Sequence, residues 1–141
     1  MRTSLTIIAV IFAALVLGCE RSVSIATLEQ TATKIFDGTI ETDANGTCTV
    51  DSKNNLIDDI AYVTTQPDGS KLVLFRTWQG KGSNLRGILN TNGPALSVGS
   101  EIEVLTFQPT GPNGGLPIGR ADVSIDSEIK NSWYRVSRSF D

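Results

Sequence analysis

The residues best equipped for chemistry in this chain are Arg76, Trp78, Gln79, Lys81, Asn84 and Arg86. They fall in a stretch that holds no acidic residue between Asp68 and Glu101, and Lys71 adds a further cation there. Arginine forks, an indole face and side-chain amides are groups that grip carboxylates, phosphates or sugars. Residues two apart on a strand share a face, so the spacing predicts Arg76 and Trp78 as a stacked cation–π platform. Gly80, Gly82 and Gly87 loosen the backbone around them. The same residues also fit a solvated hairpin flank whose cations pair with Asp37, Glu41, Asp58 or Asp59 elsewhere in the fold.

Catalytic constellations are scarce by comparison. The chain has no histidine, which removes Ser-His-Asp and Cys-His catalysis, histidine metal ligation and histidine pH switching together. Asp58 and Asp59 are adjacent, so on a strand their carboxylates point to opposite faces. No acidic pair can be placed together for a hydrolase that works with carboxylates alone, as glycosidases do. The glycine-rich Gly111–Arg120 offers Arg120 and Ala121 where a phosphate loop needs Lys and Ser or Thr; a long loop between strands is expected instead. Glu41–Gly46 echoes a calcium loop, but the twelfth position is Ser52, where a bidentate Glu belongs. The reading is therefore of a noncatalytic protein with no metal and no cofactor.

These side chains must be carried by strands. From about residue 33 onward, Thr, Val and Ile recur in short runs bounded by Gly, Pro, Asn and Asp, the signature of strands and hairpins. Asn45-Gly46 suits a type I′ turn between Lys34–Thr42 and Thr47–Asp51. Gln66–Ser70, with Pro67 and Gly69, closes a second hairpin from Asp58–Thr65 to Lys71–Trp78. Leu72, Val73, Leu74 and Phe75 are apolar on both faces and belong in the middle of a sheet or in a barrel wall. Leu85–Asn90, Glu101–Phe107, Arg120–Asp126 and Trp133–Phe140 follow; Ala121, Val123 and Ile125 alternate with polar residues, giving that strand one wet face. Cys48 and Val50 share a face, so Cys48 reads as a small buried hydrophobe. The expected class is all-β: a single small antiparallel barrel or sandwich of about seven or eight strands. Leu96–Val104 resembles the turn-then-strand entry of SH3-like and OB-like barrels, which favours the barrel.

The N-terminus supplies an address. Arg2 precedes Leu5–Leu17, thirteen residues whose only polar member is Thr6. That matches the apolar region of a signal peptide and falls short of the ~20 residues a membrane span requires. It ends in Leu15-Val16-Leu17-Gly18-Cys19, which resembles a bacterial lipobox with Cys19 as the lipidated residue. The resemblance covers the first twenty residues. It implies cleavage after Gly18, a diacylglycerol thioether on Cys19 and an added acyl chain on its new amino group. Glu20 stands where an aspartate would signal inner-membrane retention, so the periplasmic face of the outer membrane is the expected site in a host with two membranes.

Residues 1–18 are thus expected to be a cleaved signal peptide, 19–32 a lipidated N-terminus that is either a short helix or a flexible tether, and 33–141 the β domain. If extended, the tether could reach ~40 Å from the lipid. The mature part carries eleven Lys and Arg against fifteen Asp and Glu, a balance that argues against nucleic-acid binding. The expected function is that of a membrane-anchored envelope lipoprotein whose noncatalytic β domain binds a partner protein or an anionic envelope polymer. The alternative is a structural or assembly lipoprotein that pairs through its strand edges and has no dedicated ligand site.

Overall fold

The structure, a computed structural model, describes residues 20–80, 84–107 and 118–139. Among these residues one α-helix, α1 (Ile25–Phe36), precedes seven strands: β1 (Thr47–Thr49), β2 (Ile60–Thr65), β3 (Lys71–Gln79), β4 (Leu85–Thr91), β5 (Glu101–Phe107), β6 (Ile118–Lys130) and β7 (Trp133–Arg138). All pair antiparallel in a single sheet ordered β1-β2-β3-β4-β7-β6-β5. The fold is mostly β, as the sequence predicts, and the sheet curls into a half-barrel.

The curl is visible in what β5 touches. Although it lies at the far edge of the sheet, the Leu105 amide donates to the Thr64 hydroxyl of β2 at 2.7 Å. A side chain at Gly46, just before β1, would collide with Leu105 Cδ1 at 2.5 Å. The two ends of the sheet thus come together without a hydrogen-bonded ladder between them.

Each face of the sheet has its own core. Leu72 and Leu74 of β3 face the concave side with Tyr62, Leu85, Leu89, Val123, Tyr134 and Val136. Val73 and Phe75 face the convex side with Cys48, Val63 and Ile88, and Trp133 stacks on Phe75 at 6.2 Å between ring centroids. Helix α1 covers that convex side. Leu28, Ala32 and Ile35 form one buried stripe at the helical period. Ser24 caps the start of the helix, its hydroxyl accepting from the Thr27 amide.

The helix corrects one sequence expectation. No strand occupies Lys34–Thr42: α1 runs to Phe36, and Asp37–Ile40 is a turn. A turn stands at Asn45-Gly46, with Gly46 at φ 85° and the Asp43 carboxylate accepting from the Asn45 and Thr47 amides, but Asn45 does not have the positive φ that the expected type I′ turn requires. It leads into β1 from a nonstrand segment, and β1 pairs with β2. Cys48 is buried as expected, and burial pushes its thiol pKa up, helped by the charge of Asp43.

Of the two alternatives for residues 19–32, a short helix or a flexible tether, the described part takes the helix from Ile25 onward. Residues 20–24 lie against the domain: the Arg21 amide donates to the Thr77 carbonyl at 2.7 Å, the Asn55 side-chain amide to the Ser22 carbonyl at 2.7 Å, and Val23 packs on the convex core.

Candidate functional site: a cleft at the gap in the half-barrel

The ladder between β3 and β4 slips where the candidate residues lie. Arg76 is opposite Gly87 and Trp78 opposite Arg86, leaving Thr77 as an extra residue in β3. Such a bulge breaks the period-two alternation, so Arg76 and Trp78 do not share a face. The expected platform is absent, and Arg76 is 3% exposed.

Arg76 turns to the concave side. Its guanidinium carbon lies 5.7 Å from the centroid of the Tyr62 ring and 5.3 Å from that of Phe107. Nη1 is 3.0 Å from Asp58 Oδ2 and 3.2 Å from the Tyr62 hydroxyl, and Nη2 donates to Gln79 Oε1. The Tyr62 hydroxyl donates to the same Asp58 oxygen at 2.6 Å. Burial, reinforced by that carboxylate, drives the Tyr62 pKa far up, so the phenol holds its proton. Gln79 is fixed in turn by donating to the Asn84 carbonyl at 2.8 Å. Arg76 Nε is the one donor of this network left buried without an acceptor.

Beside this network lies a cleft of about 390 Å³. Ile57, Ile60, Phe107 and Ile118 supply its apolar lining, and Asp58, Tyr62, Arg76 and Gln79 its polar groups. It opens where β5 and β6 approach β2, at the unladdered gap of the half-barrel. Residues 108–117, which join Phe107 to Ile118, are outside the described residues, as is most of the expected Gly111–Arg120 loop.

Among the described lining residues the charges balance, one guanidinium against one carboxylate. Asp58 is the single carboxylate among the described lining residues, so a two-carboxylate hydrolysis has no second acid there. Among the described residues no group of three or more His, Cys, Asp or Glu is placed to hold a metal ion. The arrangement suits enclosure of an apolar group together with a hydrogen-bond acceptor.

The residues singled out from sequence therefore separate. Arg76 and Gln79 belong to the cleft, with Asn84 behind Gln79. Trp78 and Arg86 lie apart from it: the Arg86 guanidinium sits 5.2 Å from the Trp78 ring centroid and its Nη1 3.3 Å from Glu20 Oε1. Lys81 and Cys19 lie outside the described residues. Pairing of a cation with Asp58 was one of the sequence expectations, and Arg76 makes that pair. Sequence reasoning missed Tyr62 and the apolar lining; the available signal was the alternation Ile60, Tyr62, Thr64 on one face of β2. Compared with protein-family models, with curated proteins and with solved structures, the chain matches none.

Proposed function

We propose that this is an envelope lipoprotein, anchored through Cys19 at the periplasmic face of the outer membrane, whose noncatalytic β domain binds a segment of a partner protein in the cleft. The observation that carries the reading is the apolar cleft in which Arg76, the only cation among the described lining residues, is already matched by Asp58. An anionic polymer would find little uncompensated charge there. An apolar side chain gains ~1.5–3 kcal/mol on burial. Strand-edge assembly has less support, because β1 is three residues long and β5 curls over β2.

Two experiments test this reading. Cys19→Ser should lose radiolabelled palmitate and leave an uncleaved precursor; label retained by the variant would overturn the anchor. A photoreactive phenylalanine analogue at Ile118, beside the cleft, should give a discrete crosslinked protein in intact cells. The same analogue at Asp122, on the wet face of β6, should not. Equal products from both positions, or none from Ile118, would overturn the cleft as the binding site.

A further inference from the structure

The bulge at Thr77 has a second role at the N-terminal end of the described chain. As the extra residue in β3, Thr77 has no partner of its own in the β4 register, and its carbonyl accepts from the Arg21 amide at 2.7 Å. Its hydroxyl lies 3.0 Å from Glu20 Oε2, while Glu20 Oε1 is 3.3 Å from Arg86 Nη1. Asn55 holds the Ser22 carbonyl, and Ser24 begins the helix. From Glu20 to α1 there is no slack segment. Cys19 directly precedes Glu20 in sequence, and Glu20 is held beside Thr77 and Arg86.

We infer that the domain rests directly on the lipid headgroups, with Trp78 and Arg86 as its contact. The inference rests on the lipoprotein reading of Cys19. An acyl-bearing residue directly before Glu20 leaves no spacer between bilayer and domain. The side chains beside it fit that layer. The Trp78 indole, half-buried, stacks with Arg86, whose side chain is 60% exposed. Tryptophan favours the membrane interface, and an arginine fork pairs with lipid phosphate. Arg21 and Arg135 are exposed nearby, Arg135 lining the same surface depression as Glu20 and Arg86.

The test uses the full lipidated chain in phosphatidylethanolamine–phosphatidylglycerol vesicles whose acyl chains carry bromine, which quenches tryptophan on contact. With Trp133→Phe, Trp78 is the only emitter. Quenching should be strong in this chain. It should fall to the level of an unlipidated chain beginning at Glu20 when twelve Gly-Ser residues, spanning about 20 Å, are inserted between Cys19 and Glu20. That insertion keeps the anchor and removes only the constraint. Trp78→Phe in the otherwise natural chain checks the result without altering the convex core: buried Trp133 should emit unquenched. Palmitate labelling of each chain separates the two ideas, because an unlabelled chain defeats the anchor itself. A labelled chain whose Trp78 is quenched no more than in the linker variant would overturn headgroup contact.

Discussion

Arg76 is held by a carboxylate, a phenol and two aromatic faces, and these contacts can be removed one at a time. Asp58→Asn deletes the countercharge and leaves the guanidinium buried. The cost should be roughly 3 kcal/mol, at the low end for a broken buried pair because the Asp58 side chain is a fifth exposed. Combining it with Arg76→Met removes the stranded charge, and urea unfolding should show the double variant more stable than Asp58→Asn alone. A double variant no better than the single one would mean that the pair is not coupled. Tyr62→Phe removes only a hydroxyl and should cost about 1 kcal/mol. Cys48 offers a different test. Buried and with its thiol pKa raised, it should resist thiol reagents until denaturant is added, whereas rapid labelling of the native protein would contradict its placement. Cys48→Ala should be tolerated within about 2 kcal/mol.

The β3–β4 pair shows how a local irregularity determines what a surface presents. Gly87 faces the bulge, and a Cβ there would lie 2.6 Å from the Phe75 carbonyl oxygen and 3.1 Å from Leu74 Cδ1. Gly87→Ala should therefore force the two strands apart and cost on the order of 1–3 kcal/mol, as overpacking does; a neutral melting curve would show that the pair yields freely. The loss should exceed that of Ser24→Ala, a cap worth about 1 kcal/mol. Much of the strand architecture was legible beforehand. The two-sided apolar run Leu72–Phe75 placed β3 inside the sheet, Gln66–Ser70 marked its hairpin, and the alternation at Ala121–Ile125 gave β6 its wet face. Two features were hidden. Ile25, Leu28 and Ala32 already have helical spacing, but Ile35 and Phe36 read as β-forming, which hid the continuation of the helix past residue 32. The bulge segment Arg76-Thr77-Trp78 contains no glycine to announce it; the glycine that accommodates it is on the facing strand. That hidden shift, more than any misjudged residue type, dissolved the expected platform and put Arg76 in the cleft.

One sheet with a core on either side makes the molecule sensitive to alkali on both. Cys48 belongs to the helix-covered core and Tyr62 to the concave one, and burial raises the pKa of both. In the unfolded chain the thiol ionises near pH 8.5 and the phenol near 10. The folded state keeps its protons longer, so the unfolded state is favoured as pH rises past those values. Stability contributed by Cys48 should be fully present below about pH 8.5 and decline above it, with a steeper decline beyond about pH 10 from Tyr62. The urea midpoint followed across that range measures this, and Cys48→Ala should remove the first decline. An unchanged first decline in that variant would assign it to another group. The strand order also sets a timetable. β7 is the last of the described strands in sequence, yet it lies between β4 and β6. A chain emerging N-terminus first leaves the β4 edge, with buried Leu85, Ile88 and Leu89, open until Trp133–Arg138 arrives. Such an edge invites pairing with other chains. The nascent protein therefore has to be shielded until Trp133–Arg138 has emerged, when the two parts of the sheet lock together.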